Sequence, residues 1–258
     1  MTGSPESLRN ALEDAICNTV SGKEVAIAFS GGLDSGVVAA IAKRYARSAT
    51  LYTVGTDGSH DLTEAKASAE ELGIKWVQIR LTEGSIIDGL RKMISITGTK
   101  DIVTLSFELP LFFVCMNCSE EDVIGGQGAD ELFAGYSKYV SLEESDLKRK
   151  TAEDMKKLNE ITLPHEKKVA EHFGKRIHHP FLDEKVMKEA GSPEPPSADS
   201  RKMKLKEVSE SIGYPSFSAK GKRSAQYSSG AMKLIKKICR DRGVSYAELV
   251  AALSGDVT

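Results

Sequence analysis

No apolar run in this 258-residue chain approaches the roughly 20 residues that a membrane-spanning helix needs; stretches such as Leu109 to Met116 are less than half as long. Four cysteines (Cys17, Cys115, Cys118 and Cys239) are too few for a disulfide scaffold of this length. Residues 1–7 lack the basic and apolar regions of a signal peptide, so the thiols read as reduced. Charge of one sign is missing as well. The formal net charge is −2, which leaves no whole-chain basic field for nucleic acid. With 22 Gly and 8 Pro and no repeat, a collagen-like chain is excluded. What remains, 40% apolar and 28% charged, suits one large domain or a main domain with an extension. The expectation is a cytoplasmic enzyme.

The apolar pattern alternates between two periods. Pro5 to Val20 places Leu8, Leu12, Ile16 and Val20 at helical spacing. Val25 to Phe29, Thr50 to Val54, Lys75 to Arg80 and Asp122 to Gly125 read as short strands. Between them, Gly36 to Arg47, Asp61 to Leu72 and Glu83 to Ile96 read as helices, the second closed by Gly73. A further apolar helix is expected after Pro110. Strands alternating with helices imply right-handed βαβ units and a parallel sheet. Beyond Tyr139 the pattern turns to charged helical stretches, Leu142 to Asn159 and His165 to Phe173, with no clear strand. The expected fold is therefore α/β, a parallel sheet of about five strands flanked by helices, Rossmann-like in its crossovers. The expected division is an α/β core with a leading helix over 1–140 and a mainly helical part over 141–258 that completes a cleft. Arg201 to Arg242 carries twelve Lys or Arg against three Asp or Glu, either solvated helix faces or a wall for polyphosphate.

Two candidate metal signals fail on spacing. Cys115 and Cys118 form a C-x-x-C, but no second pair completes a tetrahedral site, and a buried helix accepts Cys as a small hydrophobe. His165, His172, His178 and His179 cluster in sequence without convergent spacing; in an extended chain His178 and His179 point opposite ways.

The sharpest local signal is Ser30-Gly31-Gly32-Leu33-Asp34-Ser35, between a strand and a helix. Paired glycines free the backbone to aim several N–H groups at one anion, beside the positive end of the following helix. Ser30 and Ser35 add hydroxyl donors. Asp34 would repel a bare phosphate, which suits it to holding Mg²⁺ that bridges to phosphate oxygens. Neither G-x-x-x-x-G-K-[ST] nor G-x-G-x-x-G is present.

This hexapeptide resembles the PP-loop of ATP pyrophosphatases, which cleave ATP to AMP and pyrophosphate. Gly126-Gln127-Gly128-Ala129-Asp130-Glu131-Leu132-Phe133-Ala134-Gly135-Tyr136 resembles the G-E-G-A-D-E-L-F-G-G-Y of asparagine synthetases and β-lactam synthetases. Further likenesses are Val54 to Leu62 (V-G-x-x-x-S-x-D-L), His179 to Asp183 (x-P-F-L-D), Lys202 to Lys206 (K-x-x-L-R) and Lys222 to Gly230 (K-x-x-F-S-x-G). The resemblance implies that Ser30, Gly31, Gly32, Asp34 and Ser35 bind pyrophosphate, that Val54 and Gly126 meet the nucleoside with Gln127 beside them, and that Asp34 and Asp130 hold Mg²⁺. It implies Lys202 and Lys222 as transition-state cations. The expected reaction uses ATP to activate a carboxylate as acyl-adenylate, which ammonia or an amine then attacks with loss of AMP.

The departures are specific. Thr2 stands where the glutaminase of such synthetases has a cysteine nucleophile, and 24 residues precede the first strand, so no glutaminase domain is expected. Nitrogen would come from ammonia, an amine or a separate glutaminase subunit; self-association is left open. Gln127 stands where many members carry Glu, and an amide cannot act as a base. Arg176-Ile177-His178-His179 replaces E-x-R-x before the P-F-L-D, which argues against aspartate as the acid if these positions face the substrate. Two alternatives stand beside the ligase: a PP-loop enzyme modifying tRNA, docked through the basic stretch, and a non-catalytic nucleotide-binding partner of a glutaminase.

Overall fold

The computed structural model describes residues 3–193, 195–197, 201–219 and 228–255. Lys222 lies outside them. Five strands, β1 (Glu24–Ala28), β2 (Ser48–Gly55), β3 (Lys75–Arg80), β4 (Asp122–Ile124) and β5 (Arg176–His178), form one parallel sheet in the order β3-β2-β1-β4-β5. In register, Ala26 lies between Thr50 and Val123. The chain builds outward from β1 through β2 to β3, then crosses back to lay β4 on the other side of β1. In open sheets of this kind, ligands bind beyond the strand C-termini at that reversal.

Strand β1 is apolar on both faces because each face meets its own core. Val25 and Ile27 enter one, with α1 (Pro5–Val20), α2 (Leu33–Tyr45) and α3 (His60–Leu72). Ala26 enters the other, with α4 (Glu83–Thr97) and α5 (Ile102–Asn117). A short α6 (Ala129–Leu132) follows β4. Then come α7 (Glu144–Lys157), α8 (Leu163–His172), α9 (Glu184–Ala190), α10 (Met203–Ser211) and α11 (Pro215–Ser218). Helices Ala231–Arg242 and Tyr246–Ser254 pack back on the second core. The helix ends follow local chemistry: Ser4 caps α1 through its side chain with Pro5 in the first turn, and Gly73 closes α3 at φ 59°. Among the described residues no helix is long and apolar enough to cross a membrane.

Two expectations need correction. Helix α5 begins at Ile102, not after Pro110, because Asp101 accepts a hydrogen bond from Thr104 N at 2.8 Å and fixes the start there. Pro110 sits inside the helix and removes one backbone bond, at a cost of about 3 kcal/mol. Leu105, Leu109, Phe112 and Phe113 are almost wholly buried around it, each contributing about 1.5–3 kcal/mol, so packing outweighs the break. The second correction is β5, a strand in the region where none was expected. It is three residues long with one apolar residue, Ile177, and gains its identity from pairing with β4.

Helix α5 carries one wall of the cleft, and its inner face depends on Phe112, fully buried and edge-on to both Phe113 and Phe173. Phe112→Ala is expected to destabilise the chain by about 3–5 kcal/mol in urea unfolding. A loss below about 1 kcal/mol would show that this core collapses to fill the gap.

Candidate active site

A cavity of about 480 Å³ opens at the C-terminal ends of β1, β2 and β4. At its floor the turn after β1 is set by sterics. Gly31 has φ +78°, and a Cβ there would lie 2.5 Å from the backbone of Ala65 on α3. Ser68 Oγ donates to Gly31 O at 2.9 Å and pins the turn to that helix. Ser35 Oγ accepts from Ser30 N and meets Ser30 Oγ, both at 3.2 Å. Gly32 enters α2 without a side-chain cap, so the first-turn N–H groups of a 13-residue helix stay available beside its positive end. These residues can hold an anion.

The second glycine turn follows β4, next to β1 in the sheet, and the two turns touch. A Cβ on Gly126 would lie 3.5 Å from Asp34 Cβ. Asp34 and Asp130 then converge on one atom. Lys202 Nζ lies 2.5 Å from Asp34 Oδ2 and 2.6 Å from Asp130 Oδ1. Lys202 precedes α10 in the left-handed region, φ 58°, and its side chain is 5% exposed. Gly135 is forced by this cluster, since a Cβ there would collide with the Asp130 carboxylate and Lys202 Cε. Burial lowers the Lys202 pKa from its ordinary value, against the opposing pull of Asp34.

The carboxylates fit a divalent cation. Asp34 Oδ1 is buried and has no hydrogen-bond partner among the described residues. A lone pair directed at a cation leaves an oxygen in that condition. Mg²⁺ takes one or two carboxylates plus phosphate oxygens, so a large protein cage is not required. Among the described residues no group of three or more His, Cys, Asp or Glu is placed to hold a metal.

Val54, at the end of β2, lines the opposite side of the cavity with Thr53, His60, Asp61 and Ser228. Asp61 is pushed up to about 7 by burial, with the Ser228 hydroxyl donating to it at 3.0 Å and pulling the other way. Thr56 N donates to Ser229 O at 2.9 Å, so the described end of the Lys222–Gly230 segment is docked on the turn after β2. Of the described residues that the sequence assigns to nucleotide, metal or catalysis, all but Gly31 line this one cavity.

The structure moves Arg176 and His178 away from it. Arg176 makes a bidentate pair with Asp122, at 3.0 and 2.8 Å, and His178 Nε2 lies 2.7 Å from the same carboxylate. Asp122 begins β4, at the end of the strand opposite the glycine turns. The Arg176 hydrogen bonds hold its carboxyl well below the usual range, despite burial. The Glu and Arg of the family pattern are thus replaced here by a structural ion-pair network. It is His179 that lines the cavity.

Sequence reasoning missed a carboxylate network on the α5–α8 side. Gln127 Nε2 donates to Glu166 Oε1 at 2.7 Å, and His179 Nε2 lies 3.0 Å from Glu166 Oε2. Behind them Glu108 meets His165 Nδ1 at 3.1 Å. Burial, then the nearby Glu166 charge, pushes Glu108 up to about 9, and burial lowers His165. The pair is therefore neutral, an acid donating to imidazole. Glu108 had a signal, one carboxylate inside the apolar run Phe107 to Val114. Glu166, on a highly charged helix, had none. Cys115 and Cys118 are buried, and burial pushes Cys115 up to about 12.

A family model described as asparagine synthase matches residues 7–211. The glutamine-hydrolyzing asparagine synthetase of Brassica oleracea is 29% identical over 208 residues, covering 75% of this chain and 36% of that protein. Asparagine synthetase B of Escherichia coli strain K12 is 29% identical over 199 residues, covering 70% and 36%. A Methanocaldococcus jannaschii protein that bears an asparagine synthetase name is 28% identical over 283 residues, covering 93% and 52%. The chain spans from about a third to about half the length of these relatives. Among solved structures, NMN synthetase from Francisella tularensis aligns over 97% of this chain and 84% of its own, with TM-score 0.47 and 18% identity.

The protonated state of Glu108 makes stability depend on pH. An unfolded Glu ionises near about pH 4.3, whereas the folded carboxyl keeps its proton to about 9. Between these values the folded state binds one more proton, so stability falls as pH rises, by about 1.4 kcal/mol per unit. Asp61 adds a slope of the same sign to both proteins below about pH 7, so in urea unfolding from about pH 5 to 8 the wild type is expected to lose about 1.4 kcal/mol per pH unit relative to Glu108→Gln. Parallel curves would contradict the neutral pair.

Proposed function

This chain belongs to the asparagine synthase family, and from that premise we propose that it is an AMP-forming ligase that adenylates a carboxylic acid and transfers the acyl group to ammonia or an amine. The observation that carries the reading is the convergence of Asp34 and Asp130, from turns after adjacent strands, on the single cation Lys202. Two carboxylates and a lysine beside an anion-binding helix end suit a metal–triphosphate substrate, and little else needs that combination.

The residues take the following roles. Backbone N–H groups of the Gly31–Gly32 turn, with the Ser30 and Ser35 hydroxyls, hold the pyrophosphate part of ATP. Val54 and Gly126 flank the nucleoside. Asp34 and Asp130 would hold Mg²⁺, which supplies neutralisation of the polyphosphate charge. The acid's carboxylate attacks the α-phosphorus, forming the acyl–O–P bond as the bond to pyrophosphate breaks. This step needs no base, because the attacking oxygen already carries its charge. Lys202 supplies fixed positive charge at the phosphate end, where charge builds in the transition state. Lys222, which the sequence assigns the same role, lies outside the described residues.

Arg176 and His178 do not bear on the choice of acid, because both are bound to Asp122. The acid is to be found by ATP–pyrophosphate exchange with acetate, succinate, L-aspartate, L-glutamate, β-alanine and benzoate. At least one is expected to support Mg²⁺-dependent exchange. Asp34→Asn and Asp130→Asn each remove a charge and almost no volume, and are expected to lower that exchange at least about 100-fold in protein that still unfolds cooperatively, with a lowered midpoint because the buried Lys202 loses a paired charge. Full exchange in both variants would refute the carboxylate clamp.

The nitrogen source is also part of the proposal. Ammonium is expected to support amide formation by the purified chain and glutamine is not; release of ammonia from glutamine would contradict this.

A further inference from the structure

We propose that Lys202 is an internal competitor for the divalent cation at Asp34 and Asp130, so that the chain admits the metal only as its nucleoside triphosphate complex. The inference rests on the ligase reading above, in which these two acids hold the metal. It adds the form in which the metal enters and the residue that selects it.

The lysine occupies the position that a shared metal needs. Asp34 lies in the first turn of α2 and Asp130 in the first turn of α6. Lys202 Nζ stands between them, 2.5 Å from Asp34 Oδ2 and 2.6 Å from Asp130 Oδ1. The backbone around it is shaped to this end. Lys202 N donates to Phe133 O at 3.2 Å, and Gly135 leaves room for the lysine stem, because a Cβ there would collide with Lys202 Cε. The lysine side chain is 5% exposed, against 25% for Asp34 and 19% for Asp130, so it lies deepest of the three. A divalent cation held by both acids would stand about 2 Å from an oxygen of each. The ammonium already rests against one oxygen of each, so both cations would be close neighbours where water screens poorly. Seating one excludes the other.

Lys202 is nevertheless displaceable. One ammonium cannot neutralise two carboxylates, and Asp34 Oδ1 is buried with no hydrogen-bond partner among the described residues. A bare divalent cation would have to expel the ammonium with no anion to receive it. A triphosphate complex brings its own anionic oxygens, and the turn that would hold them lines the same cavity through Ser30 and Gly32. The ammonium can then pass from the acids to the phosphate, where the ligase reading requires it. Arg201, close enough to act on the Lys202 charge, and Lys206 also line the cavity. Both repel a bare cation and attract one already enclosed by phosphate. Lys202 thus serves twice, as counter-ion of the acids and then as a phosphate ligand.

The test reads metal binding, not turnover. Mn²⁺, a paramagnetic probe for the Mg²⁺ site, is titrated without nucleotide and followed by electron paramagnetic resonance. Wild type, Lys202→Met and the double variant Lys202→Met/Asp130→Asn are compared. Methionine keeps the length of the side chain and removes its charge. Lys202→Met is expected to bind one Mn²⁺ at least about 100-fold more tightly than wild type, the scale set by freeing a buried ion pair. The double variant is expected to lose that gain. Equal affinity in wild type and Lys202→Met would overturn the inference, as would a gain that survives in the double variant. A second measurement needs no variant. The wild-type thermal midpoint is expected to be unmoved by Mg²⁺ alone and to rise with Mg²⁺ and α,β-methylene ATP together. An equal rise with Mg²⁺ alone would overturn the inference even if Lys202→Met does not fold. Nucleotide binding that ignores Mg²⁺ and Mn²⁺ would instead defeat the metal clamp of the ligase reading, and this inference with it. Metal-dependent nucleotide binding with equal free-metal affinity in the two proteins defeats this inference alone.

Discussion

Two carboxylates cannot share a partly buried space without a cation between them, and the rest of this site follows from how that constraint is met. Asp34 and Asp130 stand on turns from neighbouring strands, and the Lys202 ammonium joins them. Bringing the acids together requires β4 beside β1, hence the crossover that reverses the sheet order. It also requires backbones that approach closely. Gly31 and Gly135 supply this, each facing atoms that a side chain would crowd, and Gly126 runs close beside Asp34. Lys202 adopts a left-handed backbone conformation that costs a non-glycine residue of order 1 kcal/mol, and the ion pairs hold it there. The glycine turn after β1, the two acids and the buried cation are thus one electrostatic unit.

A second polar unit sits across the cavity, organised by the apolar face of α5. Burial there keeps Glu108 protonated, which spares Glu166 a second negative neighbour. Glu166 then spans Gln127 and His179. The two units differ in kind: one gathers two carboxylates around a lysine, and the other sets a buried carboxylate between an amide and an imidazole.

The glycine turns were legible in sequence because their chemistry is local. Paired glycines between an apolar strand and a helix have few purposes, and Asp34 and Asp130 are fixed relative to them by a few bonds. The central strands were legible because burial on both faces demands continuous apolar runs. Strand β5 was not, since its three residues contain one apolar side chain and it exists through pairing with β4. Proximity along the chain misled at Arg176 and His178. They lie beside the Pro180 motif in sequence, yet both side chains turn to Asp122, and the alternation of a strand sends His179 the other way. Glu166 was hidden by its surroundings, a carboxylate on a helix rich in exposed charge. Burial singles it out, and burial there is set by α5 and β5, distant in sequence.

The central claim is that Asp34 and Asp130 form one metal-dependent seat for a nucleoside triphosphate. Calorimetric titration of the wild-type chain with α,β-methylene ATP, whose α–β linkage cannot be cleaved, tests it without turnover or knowledge of the acid. With Mg²⁺ present the account predicts saturable 1:1 binding that weakens at least about tenfold, some 1.4 kcal/mol, when EDTA removes the metal. Equal affinity with and without Mg²⁺, or no binding in either condition, would contradict it.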